Sequence, residues 1–329
     1  MIRSTIKRFI QKSFTKYKGD VVLRFVNKSP KILFYHGVAP NPDKNIESES
    51  IAVDDFIRQL RYLKKHYHIV SIDEFKQLYI NHQLRGNEVS LTFDDGYKNM
   101  LYSAAPILDD FNVPYSLYLT TNNITNGTLF PTTVNRLVVR ASSIQSLDLD
   151  SVHAHYDLST LEQKTAVQNQ ISIILKTSPI GLVNQIVAEL ESKISHEEML
   201  ELRERYSSIE PLNWNECKQL SQNPLITIGS HGMDHICCHN KQSAEELKRQ
   251  MLESKREIES RLGLSCDIFS YPNGNFTDES NKILEEVGYK MGLSTKRHNV
   301  YKGTTFSVPR LYVPYDYDRF VYSLLTYPY

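Results

Sequence analysis

The feature that most constrains the fold of this chain is a repeated alternation of short apolar runs with amphipathic segments, beginning near Lys31. The runs "KILFYHGV", "EVSLTF" and "PYSLYLT" are typical of buried strands, and "VDDFIRQLRYLKKHY" has apolar residues at helical spacing. Strands that alternate with helices predict βαβ units and a parallel sheet. About seven such units predict an α/β protein, specifically a distorted (β/α)7-type barrel, with an open doubly wound sheet as the alternative.

A long interruption of this alternation lies between about residues 122 and 210. That stretch contains helical patterns such as "TLEQKTAVQNQISIILKT" and few strand signals, and the alternation then resumes with "LITIGSH". We therefore predict a barrel domain over residues 31–329 that carries a helical insertion at about 122–210. A separate basic segment over residues 1–30 precedes it.

The composition narrows the classes of partner. Lys and Arg together equal Asp and Glu at 38 each, so no overall basic character indicates nucleic-acid binding. With 40% hydrophobic and 23% charged residues, the chain has the composition of a globular protein. Cys237 and Cys238 are adjacent and the four cysteines form no CxxC spacing, which favours buried, reduced thiols.

The first 20 residues combine an apolar helical face with many lysines and arginines, and no acid occurs before Asp20. Such a helix can lie on an anionic membrane surface, or it can dock on its own domain with a solvated basic face. The printed sequence has neither a run of 18 apolar residues nor a signal-peptide pattern. We expect a cytoplasmic protein, with peripheral contact at the inner face of the membrane through residues 1–20 as the narrower hypothesis.

Reactive side chains cluster where predicted strands end. Asp94, Asp95 and Gly96 follow one strand, "SHGMDH" follows another, and "SYPNG" a third. Taken singly, Asp-Asp-Gly is typical of a turn or a helix N-cap. Together, two imidazoles four residues apart and one carboxylate supply the three protein ligands of an open catalytic zinc site. The second carboxylate could then accept a proton from the attacking water.

The motifs "TFDDG", "SHGMDH" and "FSYPNG", in this order at successive strand ends, resemble those of the polysaccharide deacetylases (carbohydrate esterase family 4). The resemblance covers about residues 31–314, apart from the insertion. It implies a distorted (β/α) barrel and a metal-dependent hydrolase, most often a zinc enzyme, that removes acetyl groups from N-acetylated sugars. The implied substrate is an N-acetylhexosamine-containing glycan. The basic, amphipathic N-terminus motivates a narrower hypothesis, in which the substrate is a nascent or lipid-linked glycan of envelope or capsule polysaccharide synthesis.

The resemblance also implies a role for each matched residue. Asp94 would be the general base, and Asp95 and the two histidines of "SHGMDH" would bind the metal. The backbone N–H of Tyr271 would help to stabilise the oxyanion. We expect three residues to contact the substrate: His36, Tyr271 and Asn273. The metal-binding histidines are His231 and His235.

The chain departs from the family pattern at two places. Ser270 stands in "FSYPNG" where many members have an arginine, and Arg310 of "SVPRL" is the candidate replacement near the base. The general acid is usually a histidine of the last motif, where this chain has only His298, several residues past the predicted strand end. Two alternatives therefore stay open: a non-catalytic glycan-binding barrel, and a related deformylase or O-deacetylase.

Overall fold

The fold is described from a computed structural model, which describes residues 29–296 and 304–327. The predicted amphipathic segment before residue 29 and the candidate acid His298 lie outside these ranges. Within them, none of the helices is both long and apolar enough to cross a membrane.

The core of the molecule is a parallel sheet that curves into a barrel. In chain order the strands are β1 (Lys31–Tyr35), β2 (Gly37–Ala39), β3 (Ser50–Ala52), β4 (His68–Ile69), β5 (Glu88–Phe93), β6 (Tyr115–Leu119), β7 (Ser146–Leu149), β8 (Ala154–Asp157), β9 (Ile226–Ser230), β10 (Ile268–Ser270), β11 (Met291–Ser294), β12 (Val308–Pro309) and β13 (Leu311–Tyr312). The strand order in the sheet is β12-β11-β10-β9-β6-β5-β1-β13, with the short β4 beside β5, and every pairing in this sheet is parallel.

One extended segment near the C-terminus joins the two ends of this sheet. Val308 of β12 pairs with Leu293 of β11, whereas Leu311 of β13 pairs with Leu33 of β1. Only Arg310 separates these two strands, so the sheet is nearly closed. The prediction of a distorted (β/α)7-type barrel is confirmed, and the open doubly wound sheet is excluded.

Helices cover the outside of the barrel and form most of the segment between β6 and β9. They begin and end largely at residues that the sequence marks as caps: Asn213 and Glu216 form a capping box, and Gly263 and Gly288 end helices with positive φ. The helices are α1 (Val53–His66), α2 (Ile72–Ile80), α3 (Ala105–Asp110), α4 (Thr121–Asn126), α5 (Pro131–Arg136), α6 (Leu161–Thr177), α7 (Ile180–Glu191), α8 (His196–Arg205), α9 (Trp214–Ser221), α10 (Ala244–Leu262), α11 (Asp278–Val287) and α12 (Tyr317–Thr326).

The segment between β6 and β9 buries a hydrophobic cluster of its own. Val138, Ile171 and Ile186 are fully buried there, and Tyr97 joins the cluster from the barrel side. The segment also contains the antiparallel hairpin of β7 and β8, which the helical patterns did not predict. The division of the chain into an N-terminal segment, a barrel and an insertion at about 122–210 stays a prediction.

Candidate active site

Asp94 and Asp95 lie at the carboxyl end of β5, where the chain turns sharply. Asp95 and Gly96 both have positive φ, at 74° and 85°. A side chain on Gly96 would come within 3.1 Å of Leu119, so this turn favours glycine at that position. Asp95 adopts the same region at an energetic cost, and such strain is common at functional sites. Both carboxylates are buried, yet each contacts a different set of partners.

Asp94 is held by a buried arginine and a buried serine. Arg310 donates from Nη1 and Nη2 to the two carboxylate oxygens, at 2.8 and 2.7 Å, and Ser270 donates from its hydroxyl at 3.0 Å. Burial raises the pKa of Asp94, but the charge and hydrogen bonds of Arg310, together with the nearby His231 and His36, outweigh that effect and hold the pKa below its usual value. The carboxylate is therefore kept ionised and fixed in orientation.

Asp95 faces two imidazole nitrogens instead. Nε2 of His231 and Nε2 of His235 lie 3.4 and 3.3 Å from Oδ1 of Asp95. That oxygen is buried and accepts no hydrogen bond from the residues that the structure describes. In a tetrahedral site, bonds of about 2.0–2.1 Å from the ion separate neighbouring donor atoms by about 3.3–3.4 Å. The donor types and their spacing therefore fit a divalent cation with two imidazole ligands and one carboxylate ligand.

The surroundings of the histidines favour the same arrangement. Nδ1 of His231 lies 2.7 Å from the backbone oxygen of Ser270, which favours a proton on Nδ1 and leaves Nε2 free to bind an ion. The ring of Phe130 packs edge-on against His235, with the centroids 5.5 Å apart. His235 itself has positive φ at 53°. Asp95, His231 and His235 each offer one potential metal-ligand atom, and these three atoms all lie within 4.8 Å of one another.

These groups line a cavity of about 190 Å³ at the carboxyl ends of the strands. Asn273 and His36 line it as well, which brings two of the predicted substrate contacts to the site. Nδ1 of His36 is buried and has no hydrogen-bond partner in the described part of the chain. The cavity is thus the meeting point of the motifs that the sequence places at separate strand ends.

The role that the resemblance implies for Tyr271 does not match this arrangement. Its backbone N–H donates to the oxygen of Leu293 at 3.0 Å, within the sheet, and its hydroxyl donates to Asn281. The side chain is fully buried and does not line the cavity. The prediction failed because β10 continues its pairing with β11 as far as Tyr271. The next residues of the turn, Asn273 and Gly274, reach the cavity instead.

Sequence reasoning missed several polar residues of the cavity wall, among them Glu49, Thr132 and Lys176. Glu49 precedes β3 and pairs with Arg136 of α5, Oε2 to Nη1 at 2.8 Å, so that the segment between β6 and β9 supports the wall of the cavity. Burial raises the pKa of Glu49, but the charge and hydrogen bond of Arg136, together with the nearby His36, outweigh that effect and lower the pKa. Thr132 and Lys176 come from that same segment. These residues belong to no sequence motif. Only tertiary packing brings them to the carboxyl ends of the strands, so the sequence gives no signal for them.

A comparison with known protein families identifies the family of this chain. The sequence model of the family described as Polysaccharide deacetylase matches residues 81–174 and 190–292, more than half of the chain. The chain belongs to the polysaccharide deacetylase family. It is also 31% identical over 85 residues to the protein YxkH of Bacillus subtilis (strain 168). That match covers 26% of this chain and 30% of YxkH.

Solved structures of polysaccharide deacetylases share the fold. The Streptococcus pyogenes deacetylase PplD, solved in complex with acetate, is similar with a TM-score of 0.57 at 17% identity. IcaB from Ammonifex degensii is similar with a TM-score of 0.59 at 16% identity. Each match covers 91% of this chain and 97% of the other. At these identities the likeness shows a common barrel fold.

Proposed function

We propose that this chain is a metal-dependent carbohydrate N-deacetylase that acts on an N-acetylhexosamine-containing glycan. One observation carries the proposal: a cavity at the strand ends holds the Asp95, His231 and His235 donor set beside Asp94, a carboxylate that an arginine keeps ionised. Hydrolysis of an acetamide by water needs these two elements, a cation site and a base next to it.

The donor set suits Zn²⁺, which is commonly held in hydrolases by two imidazoles and one carboxylate. When bound, such an ion polarises the acetyl carbonyl and lowers the pKa of a water ligand towards ~7. Asp95, His231 and His235 would hold the ion. Cys237 and Cys238 are buried outside this set, and burial raises the pKa of both thiols, so neither supplies a thiolate.

Asp94 would take the proton from the attacking water. Arg310 and Ser270 fix the carboxylate, which limits the reorganisation that the proton transfer requires. The lowered pKa makes Asp94 ionised across the neutral range, although it also makes the group a weaker base.

The leaving nitrogen also needs a proton. The resemblance assigns this task to a histidine of the last motif, for which His298 is the candidate in sequence. In the described part of the chain, His36 is the imidazole that lines the cavity outside the donor set, and its Nδ1 makes no hydrogen bond. We therefore assign the general acid to His36, with His298 as the alternative.

The biological substrate that we propose is a nascent or lipid-linked glycan of envelope or capsule polysaccharide synthesis, handled at the cytoplasmic face of the membrane. The basic, amphipathic pattern of residues 1–20 supports this part of the proposal. Cell fractionation with and without residues 1–20 tests it. The membrane part fails if both forms remain wholly in the supernatant.

The activity is tested by acetate release from a panel of N-acetylhexosamine oligosaccharides and lipid-linked N-acetylated sugars. We expect the zinc-loaded wild type to release acetate and Asp94→Asn to release almost none. Formyl-sugars and O-acetyl-sugars in the same panel test for a related deformylase or O-deacetylase. A protein that binds these glycans but releases no acyl group after zinc loading would be the non-catalytic alternative.

A further inference from the structure

Each carboxylate of the cavity has a cationic or imidazole partner. Asp94 is bonded to Arg310, Glu49 is bonded to Arg136, and Asp95 faces the two histidines. The two arginines are therefore neutralised by the protein itself. Lys176 is the remaining lysine or arginine among the described residues that line the cavity. Unlike the two arginines, it is not paired with a described carboxylate of the cavity.

Lys176 lies in the last turn of α6, within the insertion, and is half-buried. It lines the main cavity and also a smaller adjoining pocket of about 20 Å³, together with Thr132 and Asn273. Over the ranges that the structure describes, no carboxylate lies within 4.0 Å of its ammonium group, and no hydrogen bond fixes it. The cavity thus has an ammonium group that is not committed to the protein.

An ammonium group in a partly enclosed cavity favours anionic oxygen atoms. The charge-assisted hydrogen bonds that it donates to a carboxylate or phosphate are shorter and stronger than those to a neutral hydroxyl. Exclusion of water by a bound sugar would strengthen the attraction further, because the local dielectric falls. A neutral substrate would leave this ammonium group without a charged partner.

We propose that Lys176 is a specificity-determining residue that binds an anionic group, a carboxylate or a phosphate, carried next to the N-acetyl group that is removed. This inference rests on the proposed deacetylase function and names the class of its substrate. Lys176 falls between the two stretches that the family model matches, 81–174 and 190–292. The preference would accordingly be a property of the unmatched stretch, residues 175–189, rather than of the barrel chemistry.

The test compares kcat and KM of the full-length zinc-loaded enzyme on three substrates of similar size. One is a neutral N-acetylglucosamine oligosaccharide, one carries a uronate next to the N-acetylated sugar, and one carries a sugar phosphate. The variants are Lys176→Met, Lys176→Arg and, as a matched control, Lys218→Met, which removes an exposed lysine outside the cavity. Thermal melts check that all three variants are folded.

We expect the wild type to have a lower KM for at least one anionic substrate than for the neutral one. Lys176→Met should raise that KM by about tenfold or more and leave kcat and KM for the neutral substrate within about twofold. Lys176→Arg should restore most of the loss, and Lys218→Met should change nothing. Added NaCl should raise the KM for the anionic substrate in the wild type more than in Lys176→Met.

The outcomes separate this inference from the proposed function. A preference for the uronate alone, the phosphate alone or both identifies the source of the anionic group. Equal effects of Lys176→Met on neutral and anionic substrates, or no effect, would overturn the inference while acetate release still supports the deacetylase. Absence of acetate release from every substrate by the wild type would overturn the proposed function instead.

Discussion

The guanidinium of Arg310 binds both carboxylate oxygens of Asp94, although the two residues lie 216 positions apart in the chain. Arg310 is the single residue between β12 and β13, the strands that join the two ends of the sheet. Its guanidinium also lies over the ring of Phe34, 4.7 Å from the ring centroid. Closure of the barrel and orientation of the candidate base therefore depend on the same residue.

Arg310→Lys is expected to reduce kcat by roughly 10- to 100-fold, because a lysine keeps the charge but cannot bind both oxygens of Asp94 in a planar fork. Arg319→Lys is the matched control, since Arg319 is exposed on α12. Acetate release measures the effect. An Arg310→Lys enzyme with wild-type kcat would show that the bidentate contact does not matter for turnover.

The pH profile provides a second readout of the same contact. Arg310 holds the pKa of Asp94 below its usual value, so Asp94 in the wild type loses its base function only at low pH. Weakening the contact in Arg310→Lys raises that pKa, and the acidic limb of kcat/KM should move to higher pH. A profile recorded for both enzymes tests this direction, and an unchanged or lowered limb would contradict it.

Variants of the two adjacent aspartates are expected to separate metal binding from base function. Asp95→Asn and His235→Ala should each lose bound metal, since each removes one of three donors. Asp94→Asn should keep the metal and lose about 10²–10⁴ in kcat, the usual contribution of a general base. Elemental analysis of the purified proteins gives the metal content. Loss of metal from Asp94→Asn would reverse the assignment.

The acid assignment predicts a dependence on the leaving group. His36→Asn should lose about 10²–10⁴ in kcat on an N-acetyl sugar but little on 4-nitrophenyl acetate, whose leaving group needs no proton. His298→Asn is the comparison and should behave like the wild type on both substrates. If His298→Asn shows the selective loss and His36→Asn does not, the acid is His298.

Asn273 allows a test of the strained turn that follows β10. It has positive φ at 55°, donates a hydrogen bond to Sγ of Cys237 and lines the cavity. Asn273→Gly keeps this backbone conformation accessible and removes only the side chain. Asn273→Ala forces a residue that disfavours positive φ into it, at a cost of about 1 kcal/mol. We therefore expect a lower Tm for Asn273→Ala than for Asn273→Gly.

The same pair of variants tests whether the amide contacts the substrate. Both should raise KM for the glycan to a similar extent, because both lack the amide group. A normal KM in Asn273→Gly would show that the side chain does not bind substrate and that the residue serves the turn alone.

Local patterns in the sequence predicted the parts of this protein that depend on local chemistry. The apolar runs became strands, and the barrel class followed from the alternation of strands and helices. The donor set of Asp95, His231 and His235 was also predictable, because strands in a parallel barrel bring their carboxyl ends to one edge. The hairpin of β7 and β8 was not, since its short strands lie within a segment dominated by helical periodicity.

Tertiary structure alone decided which neighbours each of these groups has. The N–H of Tyr271 was a plausible oxyanion donor in sequence, but the pairing of β10 with β11 uses it. Glu49, Thr132 and Lys176 carry no motif. Packing of the segment between β6 and β9 against the barrel brings Thr132 and Lys176 to the cavity wall, and Arg136 of that segment pairs with Glu49. The amino-acid sequence thus determined which groups stand at the strand ends, because that follows from local periodicity. Their partners and charge balance follow from contacts between distant segments, which no local pattern encodes.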